Sequence, residues 1–283
     1  MSQQSNLVVV QNTNTIIGIV NQLSGFMDSQ FVPRLDTTIN AKRNVLASQV
    51  PATKPTIKYF GIGTRGYYNV DDDTLSSPYK PSAKNLDLHR PIPLRVVPVG
   101  EDLPLVERDK YRMRTKETID GEDYYLYWLK VLNFSAAPVD ITSVDPDTLD
   151  TTDYVFDPSD LYPTPVKGTG TDTVDSVTSK VIVSSTGESL ITGEEISEAI
   201  NIIYGGDLRM ARISEWGFYS GVESEISVVD NDTDPGTSDP ITLKEVAYCQ
   251  LSTHRCTTGV DMSDPTSTAS QTISIENGTV SLI

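Results

Sequence analysis

The chain has 283 residues, 37% of them apolar, and a formal charge of −17 at pH 7. That length builds a sizeable hydrophobic core in one or two domains, and a composition rich in Thr, Ser, Val, Ile and Tyr suits strands and polar loops. The charge is uneven: residues 1–116 carry 15 Lys/Arg against 10 Asp/Glu, while residues 117–283 carry 7 against 29, and so acidic a half speaks against nucleic acid, which needs basic patches.

The N-terminus MSQQSNLVVV has no basic stretch ahead of its apolar residues, so no secretory leader is expected. No apolar run approaches the roughly 20 residues that span a bilayer. A protein made in a cytoplasm, without membrane partners, follows as the expectation. Residues 7–10 suit a short strand. Ile16, Ile19, Val20, Leu23, Phe26 and Met27 fall on one helical face and predict a helix over 12–31, ended by Pro33. Gly18 and Gly25 weaken that helix. A second short helix is expected around 39–48, so residues 1–55 read as an N-terminal helical or extended arm.

Residues 56–61 predict a strand that runs into Gly61-Ile62-Gly63-Thr64-Arg65-Gly66. These residues spell GxGxxG, but a dinucleotide loop needs a following helix and an acidic residue about 20 positions on. Here Tyr67, Tyr68, Asn69 and then Asp71, Asp72 and Asp73 follow, and no P-loop lysine is present. The glycines are expected to permit a tight turn or bulge at positive φ. From 69 to 104 the chain contains six prolines and little periodicity. Its apolar residues Leu86, Leu88, Ile92, Leu94, Val96 and Val97 ask for burial, which predicts an extended arm that docks on a partner.

Residues 109–117 and 122–134 predict a hairpin closed by Asp120-Gly121. The first strand places Lys110, Arg112, Arg114 and Lys116 on one face, with Glu122 and Asp123 as cross-strand partners. Residues 138–178 form an acidic, turn-rich insert, and 180–185 a further strand. ITGEEISEAINIIYGG (191–206) predicts a helix: Thr192 and Glu195 form a capping box, Ile196, Ala199, Ile200 and Ile203 the apolar stripe, and Gly205-Gly206 the stop. Strands are expected at 208–219, 225–229 and 241–251, and one or two more in the tail.

Candidate chemistry is sparse. Asp230, Asp232 and Asp234 are the best calcium lookalike, yet Pro235 and Ile241 stand where an EF-hand needs Gly and Glu. Cys249 and Cys256 give no disulfide framework and no metal pattern. His89 and His254 are the only histidines, far apart in sequence, with His254 at His-x-Cys spacing from Cys256. Paired Cys-x₂-Cys spacing is absent, so zinc is not indicated. No nucleophile–base arrangement stands out, and no carboxylate pair is distinguished from the other acids. The expectation is a non-enzyme without cofactor or metal.

Lys58–Gly66 (KYFGIGTRG) and, far downstream, ARISEWGFYSGVE together resemble bacteriophage virion proteins of the tail-fibre, collar and baseplate kind. In that family an early strand of the type "y-aIG-G" precedes one of the type "ItEiGLf"; Arg212–Gly221 is similar to the second, with Trp216 and Phe218 where aliphatics are commoner. The strand EVAYCQLSTHR and the helix ending IIYGGD also resemble the family's style. The proline-rich arm and the acidic insert lie outside the pattern. The resemblance implies a structural role in the virion, at the tail, baseplate or neck, through interlocking with copies of itself and other virion proteins, and no catalytic residue to carry over. A receptor- or carbohydrate-binding module and a head decoration protein are the alternatives.

The expected fold is therefore mainly β: an antiparallel β-sandwich over 56–283, with one or two helices, the arm 69–104 and the insert 138–178. The residues expected to make contacts between subunits are Arg65, Tyr67, Tyr79, Leu86, Leu88, Ile92, Leu94, Arg112 and Arg114.

Overall fold

The computed structural model describes residues 10–16, 18–19, 53–69, 76–134, 140–144, 151–153, 159, 180–229 and 240–280. Its strands are β1 (Val10–Asn14), β2 (Thr56–Gly63), β3 (Tyr67–Asn69), β4 (Ser76–Pro78), β5 (Pro91–Ile92), β6 (Arg95–Pro98), β7 (Tyr111–Ile119), β8 (Glu122–Val131), β9 (Asn133–Phe134), β10 (Asp140–Val144), β11 (Thr151–Asp153), β12 (Lys180–Thr192), β13 (Arg212–Val229), β14 (Pro240–Asp261) and β15 (Thr268–Val280). Among the described residues, α1 (Leu105–Arg108) and α2 (Gly193–Ile203) are helices, and Ile16, Gly18 and Ile19 are helical as well. The fold is mainly β, antiparallel and sandwich-like. No described helix is long and apolar enough to cross a membrane.

The chain divides into two compact units: Met1–Leu132 with Ser189–Gln271, and Asn133–Glu188 with Thr272–Ile283. This differs from the expected boundary at residue 55. The first unit holds a sheet in the order β1-β14-β13-β2-β8-β6, with β5 on β2 and β7 on β8. β1 belongs to that sheet, Thr13 standing opposite His254, so residues 12–14 are strand rather than the start of a helix. The remainder of the predicted helix beyond residue 19, and the one at 39–48, lie outside the described residues. In the second unit β10 pairs with β11 and β12, and β9 and β15 also join β12. Most of the acidic insert falls outside the described residues.

β13 is central because both its edges are filled. β14 pairs along its whole length, and β2 pairs from Glu215↔Gly63 to Gly221↔Thr56. The separate strands expected at 208–219 and 225–229 are one strand of 18 residues, preceded by a 3₁₀ turn at Leu208–Ala211. Side chains alternate across the sheet. Phe60, Ile62, Trp216 and Phe218 share one face, with Phe60 and Trp216 ring centroids 6.2 Å apart. Gly61, Gly63, Glu215, Gly217 and Tyr219 share the other. Both faces are buried, and Tyr59 and Tyr219 enter a core with Val96, Met113, Leu126, Trp128, Leu129, Ala199 and Leu251.

The hairpin closes as its turn chemistry demands: Ile119 pairs with Glu122, and Asp120 and Gly121 take φ of 51° and 90°, the signature of a two-residue primed turn. α2 also follows its sequence. Thr192 accepts from the Glu195 amide, Glu195 accepts from the Thr192 amide, and Gly205 and Gly206 turn the chain away at positive φ.

Over its described residues, 76–104, the proline-rich stretch is not an arm. It folds back on its own sheet through β5 on β2 and β6 on β8, and the Leu94 amide donates to the Tyr127 carbonyl at 2.8 Å. Leu88, Ile92, Leu94, Val96 and Val97 are buried within the chain. Burial of each such side chain stabilises by about 1.5–3 kcal/mol.

Candidate functional site

The glycine-lined face of β2 and β13 admits the segment 82–92. A Cβ on Gly63 would stand 2.7 Å from both the Arg90 carbonyl oxygen and Glu215 Oε2, and one on Gly66 would overlap the Ser214 carbonyl. Neither glycine has positive φ. Their role is close approach of chain to chain, which replaces the expected positive-φ turn.

What the cleared space holds is a buried carboxylate. Glu215 Oε2 accepts from the Arg65 and Arg90 amides, each at 3.0 Å, and Oε1 accepts from the His89 amide at 2.7 Å. Register then brings in β14: Cys256 lies opposite Glu215, and His254 opposite Gly217. His254 Nε2 sits 3.1 Å from Glu215 Oε1, and Cys256 Sγ 3.6 Å from the same imidazole nitrogen. His89 Nδ1 approaches Oε1 from the solvent side at 3.2 Å. Asn85 Nδ2 caps both rings, 2.7 Å from His254 Nδ1 and 3.3 Å from His89 Nε2. The ring centroids of the two histidines are 4.9 Å apart. His89 is 36% exposed, whereas Glu215 and His254 are fully buried.

The electrostatics follow from those bonds. Burial alone would raise the Glu215 carboxyl, but hydrogen bonds from His254 and from the His89 and Arg90 amides hold it below the usual carboxylate range. The Cys256 thiol is pushed up to about 12, first by burial and then by the Glu215 charge. A thiol of that kind is protonated at neutral pH and is a poor nucleophile. The arrangement therefore suits latching of a segment, or ligation of a cation, better than acyl transfer.

A family model matches residues 1–277. The chain belongs to DUF7208, a family of unknown function. No curated protein and no solved structure matches it.

The structure sorts the expected contact residues of this DUF7208 chain into three sets. Arg65, Tyr79 and Leu86 are exposed around the latch. Tyr79 packs tilted against Tyr68 with ring centroids 5.2 Å apart and meets His89 edge-on at 6.3 Å. Tyr67 and Arg114 are half-buried and occupied, Tyr67 by the Arg212 guanidinium at 4.8 Å, Arg114 by Asp102 and by the Tyr125 ring at 4.1 Å. Leu88, Ile92, Leu94 and Arg112 are buried, which corrects their reading as docking residues. Arg112 is held by Glu223 at 3.2 Å and by the Asp109 and Tyr111 carbonyls. Lys116 pairs with Asp123 at 2.6 Å, the cross-strand partner expected. Asp230, Asp232 and Asp234 lie outside the described residues, as do Asp71, Asp72 and Asp73.

A second polar cluster lies in the same unit, a cleft of about 690 Å³ lined by Arg95, Glu107, Tyr111, Lys130, Glu195 and Glu198 among others. Ion pairs cross it: Arg95 with Glu107 and Glu198, and Lys130 with Glu195, which also accepts from the Tyr111 hydroxyl. These contacts tie α2 to β6, β7 and β8.

Glu215 and Asn85 are the residues the sequence reading did not single out. The His-x-Cys spacing on β14 was visible, but the acid and the second histidine join it only through the β2-β13-β14 register.

Proposed function

We propose that the chain is a non-enzymatic structural protein of a bacteriophage virion, placed in the tail, baseplate or neck and acting through contacts with copies of itself and with other virion proteins. The observation that supports this reading most is the pairing of the two segments that carry the resemblance. Lys58–Gly66 and Arg212–Gly221 meet in β2 and β13 at the centre of the larger sheet. Glu215, inside the second segment, pins the 82–92 stretch across them. A buried carboxylate engaged by three main-chain amides rigidifies a scaffold. The test is peptide mass spectrometry of purified particles, followed by labelling with an antibody to the folded chain. Label at the tail, its tip or the neck is expected; absence from particles refutes the reading, and label spread over the head moves the protein to decoration.

A carbohydrate- or receptor-binding role has one specific observation in its favour. Tyr68 and Tyr79, 45% and 37% exposed, pack against each other beside Arg65 at the same surface, and exposed rings of this kind suit sugar faces. Glycan-array binding that is lost in Tyr79→Ala would favour it, and a blank array at high protein concentration would remove it.

A further inference from the structure

The convergence of two imidazoles, a carboxylate and a thiol has a consequence beyond latching. The ligating atoms of His89, Glu215, His254 and Cys256 all lie within 4.8 Å of one another. We propose that these four side chains bind one divalent transition-metal ion of the zinc class, closing its coordination and stapling the 82–92 segment to β13 and β14.

Geometry supports this first. Zinc bonds to nitrogen, oxygen and sulfur set the edges of a tetrahedron at about 3.3–3.8 Å. Three of the separations present are 3.1, 3.2 and 3.6 Å. Drawing in a separation as wide as 4.8 Å takes about an ångström of side-chain movement, and His89 has room to turn on its solvent side.

Valence supports it next. Glu215 Oε1 has two lone pairs, yet the His89 amide, His89 Nδ1 and His254 Nε2 all approach it. A cation on the lone pair not used by the amide satisfies the carboxylate and both rings at once. Oε2 stays fixed by the Arg65 and Arg90 amides, an outer-shell support of the sort metal-bound carboxylates receive. Asn85 reaches the distal nitrogen of each histidine. A half-turn of its amide presents Oδ1 to two N–H groups, fixing both rings as neutral metal ligands.

Charge also balances. The ion enters with two positive charges, Glu215 supplies one negative charge, and Cys256 supplies the second by releasing its thiol proton to solvent. The imidazoles remain neutral and carry their protons on the distal nitrogens. A neutral buried site avoids the cost of an uncompensated charge. Nitrogen and sulfur ligands select zinc-class ions over calcium or magnesium, and four protein ligands mark a structural centre rather than a catalytic one, which keeps a water position open.

The test uses the full chain, stripped with chelator and titrated with Zn²⁺ under native mass spectrometry and calorimetry, and separately with Co²⁺ under absorption spectroscopy. One ion per chain is expected, with a thiolate-to-cobalt charge-transfer band and the intense visible bands of tetrahedral cobalt. Cys256→Ser should lose the charge-transfer band, and Cys249→Ala should keep it. Asn85→Ala should weaken Zn²⁺ binding about 10–100-fold. The proposal is overturned if the folded wild-type chain takes up no stoichiometric Zn²⁺ at micromolar concentration, if Co²⁺ binds without a sulfur band, or if Cys256→Ser leaves that band intact. The first two readings need no variant, so misfolding of a mutant cannot rescue the idea.

Discussion

Replacing Glu215 by glutamine is the sharpest test of the latch, because it keeps the shape and removes the charge. The carboxylate accepts from three main-chain amides at 2.7–3.0 Å and faces His254 at 3.1 Å. A glutamine in the same place offers one acceptor oxygen. If its NH₂ occupies the Oε2 position it confronts the Arg65 and Arg90 amides; in the other orientation it confronts the His89 amide. At least one buried N–H therefore loses its partner, at about 1–3 kcal/mol, and the surviving bonds lose their charge assistance. The sum is about 2–5 kcal/mol in chelator-treated protein. For a unit of this size that lowers the melting temperature by about 5–15 °C. Hydrogen exchange should locate the change, with the Arg65, His89 and Arg90 amides losing protection while those of the β7–β8 hairpin keep theirs. A melting temperature within about 2 °C of wild type, with unchanged exchange at those three amides, would refute the latch.

Thr192→Ala removes one half of the capping box and should cost about 1 kcal/mol. Glu195→Gln should cost more, about 2–4 kcal/mol by chemical denaturation, because Glu195 also holds Lys130 at 2.7 Å and the Tyr111 hydroxyl; equal costs would show that the cleft pairs contribute nothing. Gly121→Ala meets no steric obstacle, yet its φ of 90° makes a side chain unfavourable by about 1–2 kcal/mol, and a stability equal to wild type would contradict the primed turn. Glu223 lies between Lys58 and Arg112. Burial works to raise its carboxyl, and the two cations outweigh it and hold the group below its usual range. A depressed carboxyl stabilises above the ordinary carboxylate range and loses that contribution as pH falls through its lowered value. Glu223→Gln should thus be less stable than wild type at pH 7 and converge with it in acid; a constant difference across pH would reverse the assignment. In metal-free protein, Asn85 donates to His89 Nε2 and His254 Nδ1, so nitrogen NMR should place the ring protons on His89 Nδ1 and His254 Nε2, and zinc should exchange them.

The parts of the fold legible in the sequence are those set by local chemistry. Asp120-Gly121 fixes a hairpin whatever surrounds it, and Thr192 with Glu195 starts a helix using only neighbouring amides. The β class was equally plain from composition. The 69–104 segment was misread for a physical reason: its prolines and irregular spacing carry no period, so its apolar residues signalled burial without saying against what. The same limit hid the site. Glu215 in SEWG is one of 39 acids, and only pairing with Gly63 on one side and Cys256 on the other gives it amides to bind. The glycines of GIGTRG are plain in the sequence, but the role of Gly63 and Gly66 lies in the space they leave for Arg90 and Ser214 and not in their own backbone.

With Leu88, Ile92 and Leu94 inside the core, a contact that this face makes with another molecule falls on its exposed residues, among them Arg65, Tyr68, Tyr79 and Leu86. Each is mechanically close to the latch. The Arg65 amide is bound to Glu215, and the Tyr79 ring leans on His89. A partner stacked on the tyrosine pair therefore sits one ring from the buried carboxylate, and the aromatic contact between them, worth about 0.5–1.5 kcal/mol, couples the surface to the interior. Loosening the latch by Glu215→Gln should then weaken binding at the tyrosines even though no surface residue changes. A surface that kept its full affinity in that variant would mean that the face is positioned by β3 and β4 alone, and that Glu215 serves only the stability of the sheet.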